Sequence, residues 1–128
     1  MVIITGGAYQ GKTAYAMSLY KEARVTDAYP DEAMLSEECP LIWCHLERYV
    51  KTFLEETQDV AALYASIDAI LEQKKELVLI GREIGNGVVP MEAETRFYRE
   101  TYGRLMTDLA KKAERVVRVL CGIGMDIL

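Results

Sequence analysis

The sequence has little from which a disulfide framework or a protein-built metal centre could be made. Its 128 residues include three cysteines and one histidine. Cys39, Cys44 and Cys121 are odd in number, widely spaced and without a C-x-x-C pair, and His45 alone cannot complete a usual zinc set with them. They read as reduced, mostly buried thiols. An excess of basic residues is also missing. The net charge of −5 argues against nucleic acid or an anionic membrane as partner, since both require a cationic footprint. No apolar run approaches the length needed to cross a bilayer. Met1 leads straight into a strand-like run, so no signal or transit peptide is expected and the cytoplasm is the default location. Internal repeats and low-complexity tracts are lacking too. What remains is the profile of a soluble globular chain, 51% apolar and 27% charged. The length suits a single domain over residues 1–128.

The most informative stretch is the first. Val2-Ile3-Ile4-Thr5 is a short β-branched run. Gly6-Gly7-Ala8-Tyr9-Gln10-Gly11-Lys12-Thr13 then fits the phosphate-loop pattern G-x-x-x-x-G-K-[ST] without a mismatch. A helical run follows, with Ala16, Leu19, Tyr20 and Ala23 on one face. The chemistry requires these residue types at this spacing. Gly6 and Gly11 permit backbone angles and close approach that a side chain would block. Backbone N–H groups from Gly7 to Thr13 can then converge on an anion, aided by the positive end of the next helix dipole. Lys12 would meet the β- and γ-phosphates, and the Thr13 hydroxyl would ligate Mg²⁺. A nucleoside triphosphate is the expected ligand.

Downstream, residues 25–40 hold two prolines and several carboxylates with little periodicity, and read as a loop or irregular connection. Leu41-Ile42-Trp43-Cys44 suits a buried parallel strand. Leu46, Tyr49, Val50 and Phe53 repeat at helical spacing, and a further helix is predicted from about Asp59 on a stripe running from Val60 to Leu71. Leu77–Ile80 is a strand, and Gly85-Asn86-Gly87 with Pro90 is a loop. Residues from about Glu92 to Lys112 form the longest helix, Val116–Cys121 a fourth strand, and Met125–Leu128 a short fifth. This alternation predicts an α/β fold, a mainly parallel sheet with helices on both faces. Ligands of such sheets bind beyond the carboxyl ends of the strands. The phosphate loop, Cys44-His45 and Gly81-Arg82-Glu83 should therefore share one rim.

Three groups beyond the loop could carry chemistry. Glu83 follows a buried strand and could serve Mg²⁺ or the attacking group, or merely solvate the rim. His45 could be a base, a phosphate ligand or a nucleophile, although a lone histidine is more often structural. Arg82, Arg96, Arg99 and Arg104 offer guanidinium groups, three of them on a helix whose charged face explains them equally well. Tyr9, inside the loop, could cover a substrate or a base, or simply be exposed.

Ile3 through Thr13 resembles the opening of the bifunctional adenosylcobinamide kinase / adenosylcobinamide-phosphate guanylyltransferase family, which reads Thr-Gly-Gly-Ala and then Ser-Gly-Lys-Ser. Glu83-Ile84-Gly85-Asn86-Gly87-Val88-Val89-Pro90 is similar to its Glu-Val-Gly-x-Gly-Ile-Val-Pro segment. Arg99, Gly103-Arg104 and the terminal Val119-Leu120-Cys121-Gly122-Ile123-Gly124 match its last part. The resemblance implies a RecA-like P-loop fold, often trimeric. It also implies an ATP- or GTP-dependent, Mg²⁺-supported kinase acting on the hydroxyl of adenosylcobinamide in cobalamin biosynthesis. On this sequence Gly6 to Thr13 match the nucleotide loop, with Lys12 and Glu83 the implied catalytic residues. The family also passes GMP through a histidine in a long segment after the first helix. Residues 25–40 are too short for that segment and contain no histidine. Where the family usually has an acid and a cysteine, this chain reads Cys44-His45, so a metal-supporting carboxylate is missing there, though Glu47 lies nearby, and Met106-Thr107 stands where an Asn-Gln pair is usual. The expectation is a kinase without guanylyltransferase activity. The alternative is a catalytically inactive nucleotide-binding module that regulates or assembles with a partner. A corrinoid carrier without nucleotide binding is disfavoured by Lys12-Thr13.

Overall fold

The structure is a computed structural model that describes residues 1–84 and 92–127. The elements in chain order are β1 (Val2–Gly6), α1 (Lys12–Leu19), β2 (Arg24–Thr26), α2 (Glu32–Ser36), β3 (Leu41–Trp43) and α3 (Leu46–Glu56). They continue with α4 (Val60–Gln73), β4 (Leu77–Arg82), α5 (Ala93–Lys112), β5 (Arg115–Leu120) and β6 (Ile123–Asp126). The strands form one sheet in the order β2-β3-β4-β1-β5-β6. β1 to β5 pair in parallel, and β6 returns antiparallel along β5. This is the α/β, mainly parallel P-loop architecture read from the sequence.

The period of two along each strand sorts the apolar residues onto two faces. Trp43, Leu79, Ile3 and Val116 lie in one cross-strand row, and all are buried against α3, α4 and α5. Ile42, Val78, Ile80, Ile4 and Val117 point the other way, beneath α1. Both faces of β4 are therefore covered, and its first five residues are buried without alternation. Helices do lie on both faces, but unequally, since among the described residues Ala16 is the one helical residue buried in the second core. On the thicker face, Leu46, Val50 and Leu54 of α3 follow i, i+4, i+8. Each such fully buried Leu or Val is worth roughly 1.5–3 kcal/mol over an exposed one.

Three sequence expectations change. Residues 25–40 are not merely a loop, because Arg24–Thr26 pairs with β3 and Asp31 caps α2 by accepting from the Met34 N–H at 2.9 Å. A three-residue edge strand and a one-turn helix are too short to leave a periodic signal. The first helix stops at Leu19, with Tyr20 as its C-cap, so Ala23 belongs to the following turn. The last strand starts at Ile123 rather than Met125. Asp59 does cap α4, accepting from the Ala62 N–H at 3.0 Å. The predicted Gly85–Pro90 loop lies outside the described residues. No described helix is long and apolar enough to cross a membrane.

Candidate functional site

At the carboxyl end of β1 the chain leaves the sheet under tight backbone control. Gly6 has φ +150°, and a Cβ there would sit 2.5 Å from the Val119 carbonyl oxygen of β5. The loop passes through Tyr9 at φ 58° and Gly11 at φ 83°, both left-handed, before Lys12 opens α1. Gly11 accepts at its carbonyl from the Tyr15 N–H at 2.9 Å, the first bond of the helix. Two further bonds hold the loop against the β5–β6 turn. The Cys121 N–H donates to Gln10 Oε1 at 2.7 Å, and the Gly122 N–H donates to the Gln10 carbonyl at 2.9 Å. Cys121 and Gly122 are both left-handed, at φ 51° and 77°, as a tight hairpin turn of the primed kind requires. Cys121 is consequently exposed and Cys39 half-buried, which corrects the expectation of mostly buried thiols.

Lys12 Nζ donates to the Gly7 carbonyl at 2.7 Å, so the ammonium folds back over the loop. Burial pushes its pKa below the usual lysine value. The charge of Glu47 acts in the opposite direction, ahead of Glu83, while Arg82 adds to the lowering. Tyr9 at the tip is fully exposed.

The loop forms one wall of a cavity of about 1030 Å³. Ala8 to Ala14 line it from one side. His45, Glu47, Arg48 and Lys51 line it from the start of α3, Arg82 from β4, and Phe97, Tyr98 and Arg99 from α5. The structure thus brings together the phosphate loop, His45 and Arg82. It does not bring Cys44 or Glu83 into the cavity lining among the described residues. Cys44 is turned inward, its thiol donating to the Thr26 carbonyl at 3.3 Å, and burial raises its pKa. Glu83 is engaged from the other side of β1 by Arg118, with Nε to Oε1 at 2.9 Å and Nη2 to Oε2 at 3.2 Å. Its N–H donates to the Gly6 carbonyl at 2.8 Å, which ties the end of β4 to the base of the loop.

Glu47, noted in the sequence only as an acid near the missing family carboxylate, is the acid that the structure brings to the cavity. Its side chain is 12% exposed, and Oε1 accepts from the Arg82 N–H at 2.9 Å. Oε2 lies 3.6 Å from His45 Nδ1 and 4.0 Å from Arg48 Nε. The hydroxyl of Tyr98 donates to the Glu47 carbonyl at 2.9 Å, and burial together with the Glu47 charge pushes the Tyr98 pKa up to about 12. His45 caps α3 in a left-handed conformation, with φ 59° and ψ 41°. The available signal was positional: Glu47 is the acid in the first turn of the helix that leaves the β3 rim.

Among the described residues no three His, Cys, Asp or Glu side chains cluster as a self-sufficient metal site. Thr13 and Glu47 nevertheless both line the cavity. A few hard oxygen donors beside a bound phosphate group would suit Mg²⁺, which takes its other ligands from phosphate and water.

Comparison with known proteins gives concordant findings. The pattern of the cobinamide kinase / cobinamide phosphate guanyltransferase family matches residues 31–127. The bifunctional adenosylcobalamin biosynthesis protein CobU of Salmonella typhimurium is 25% identical over 182 residues, covering 99% of both chains. An alignment of that span cannot be filled by 128 residues, so the relative carries segments that this chain lacks. The protein of the same name from Escherichia coli is 34% identical over 67 residues, 52% of this chain and 37% of the relative.

Proposed function

We propose a kinase reaction for this chain, which belongs to the cobinamide kinase / cobinamide phosphate guanyltransferase family. The γ-phosphoryl group of ATP or GTP passes to a hydroxyl, with adenosylcobinamide the leading acceptor. The bond from the γ-phosphorus to the β–γ bridging oxygen breaks. A new bond to the acceptor oxygen forms, the hydroxyl proton leaves, and a nucleoside diphosphate and a phosphate ester remain. The observation that carries this reading is Lys12 on a left-handed, glycine-framed loop that forms one wall of a cavity of about 1030 Å³.

Gly6 to Thr13 bind the triphosphate, with Gly7, Ala8, Tyr9, Gln10 and Gly11 supplying backbone groups. Lys12 exchanges the Gly7 carbonyl for the β- and γ-phosphate oxygens. Thr13 supplies a hydroxyl ligand for Mg²⁺, which when bound neutralises charge on the phosphate oxygens. Glu83 assists the acceptor hydroxyl from the rim. Phosphoryl transfer needs mainly positioning and charge neutralisation, so this small set suffices. The working unit is a single nucleotide-binding domain over residues 1–128, located in the cytoplasm. Leu120, Ile123, Met125 and Ile127, exposed along β5, β6 and the residue after it, support self-association, a trimer by family resemblance.

Guanylyl transfer is left out of the proposal. The only histidine, His45, caps α3, and the shortened region after α1 has none. The inward Cys44 thiol and the Arg118-bound Glu83 favour a second reading, a nucleotide-binding module without catalysis. Calorimetric titration with ATP and GTP in Mg²⁺ tests the shared premise. Micromolar binding that disappears in Lys12→Ala is expected. Equal binding by wild type and variant would overturn the phosphate site, as would no binding by either.

A further inference from the structure

We infer that Glu47, rather than Glu83, is the carboxylate with which this chain supports the metal of a bound metal–nucleotide, and this rests on the phosphate-site reading above. The two acids differ in what occupies their oxygens. Both Glu83 oxygens are engaged by the Arg118 guanidinium, at 2.9 and 3.2 Å. This is the bidentate geometry, in which the guanidinium occupies one lone pair on each oxygen and offsets the carboxylate charge. Glu47 uses Oε1 for the Arg82 N–H at 2.9 Å. Its Oε2 has no partner within hydrogen-bond distance among the described residues, the nearest being His45 Nδ1 at 3.6 Å.

Position separates them as well. Among the described residues Glu47 lines the cavity with Lys12 and Thr13, and Glu83 does not. A carboxylate with 12% exposure has lost most of its water. Facing an incoming triphosphate, it would repel the ligand unless a cation stood between them. That repulsion makes a falsifiable signature, because the same side chain should oppose metal-free nucleotide and favour metal-bound nucleotide. The Arg82 N–H and the Tyr98 hydroxyl, which donates to the Glu47 carbonyl, fix the residue in place. The arrangement therefore does not wait for the metal to form. Cys44, buried and bonded to Thr26, has no oxygen to offer in this role.

The test is titration of ATP into wild type, Glu47→Gln and Glu83→Gln, first in EDTA and then across a Mg²⁺ series. Glu47→Gln keeps an oxygen acceptor for the Arg82 N–H and removes the charge. The Mg²⁺ concentration that half-saturates the tight complex is expected to rise about tenfold or more in Glu47→Gln, the scale on which support of a metal site is lost. Metal-free ATP should bind this variant at least as well as wild type. Glu83→Gln should need the same Mg²⁺ as wild type. Unchanged Mg²⁺ dependence in Glu47→Gln would overturn the inference and leave the phosphate site standing. A tenfold rise in Glu83→Gln instead would do the same, even if Glu47→Gln did not fold. Equal weakening of Glu47→Gln with and without Mg²⁺ would show a merely structural side chain and also overturn it. Failure of wild type to bind ATP under either condition would remove the underlying site as well.

Discussion

Lys12 in the ligand-free chain is held by the carbonyl of Gly7, a neutral partner, while burial lowers its pKa below the lysine value of 10.5. Burial penalises the charged form, so that form bears a cost that a triphosphate would relieve. Two consequences follow from the sign. In the free protein the penalty disappears as the pH rises through the lowered pKa and the ammonium is lost. If the proposed role of Lys12 holds, nucleotide binding needs the ammonium, so ATP affinity should decline over that same range, beginning below pH 10.5. Calorimetry at increasing pH checks this, and an affinity that stays level up to 10.5 would count against it. Gly6 supplies a second test at this scale. A methyl group there would meet the Val119 carbonyl at 2.5 Å at a φ that side chains rarely adopt. Gly6→Ala is expected to lose about 1–3 kcal/mol of stability in urea unfolding, the usual cost of overpacking.

Among the elements, the β5–β6 hairpin matters beyond its place at the sheet edge, because its turn holds the phosphate loop through both Gln10 oxygens. Gln10→Ala removes the side-chain bond alone. The loss should be about 0.5–1.5 kcal/mol of nucleotide binding, a several-fold weaker Kd. Thermal stability should change little, since the backbone bond from Gly122 remains. Elements were legible in the sequence where length gave the period room to show. The α4 stripe from Val60 to Leu71, capped by Asp59, and the uninterrupted apolar run of β4 are such cases. β2 and α2 were not, because three residues at a sheet edge and five in a helix carry no periodicity. The phosphate loop was legible because its backbone geometry demands glycine and lysine at fixed spacing. Glu47 was legible only as a nearby acid, because the role inferred for it depends on where α3 places it relative to Lys12 and Arg82, on separate elements. Glu83 was noticed for its position after β4, but nothing local revealed that Arg118 would bind it.

At the scale of the whole molecule, the thick face of the sheet is closed by tyrosines whose hydroxyls bridge elements. Tyr64 donates to Asp108 at 2.7 Å, Tyr98 to the Glu47 carbonyl at 2.9 Å and Tyr102 to the Arg82 carbonyl at 2.8 Å. Burial, first among the causes, pushes the pKa values of Tyr64 and Tyr98 up to about 12 from 10.0 and raises that of Tyr102 further. Because the folded values are raised, the associated stability is fully present below pH 10 and is lost as the pH climbs from 10 toward 12. Denaturant unfolding across that range should show the decline, whereas a constant midpoint would contradict the burial of these hydroxyls. Since Tyr98 and Tyr102 also hold Glu47 and Arg82, loss of the thick face should loosen the cavity wall with it. The most direct test of the account asks whether the cavity beside the phosphate loop receives an acceptor. Wild type and Lys12→Ala would be incubated with γ-labelled ATP or GTP, Mg²⁺ and adenosylcobinamide, and label on the corrinoid measured. Labelled corrinoid phosphate from wild type and none from Lys12→Ala is the expected result. Nucleotide bound by wild type, with no label reaching the corrinoid, would contradict the kinase and leave a binding module in its place.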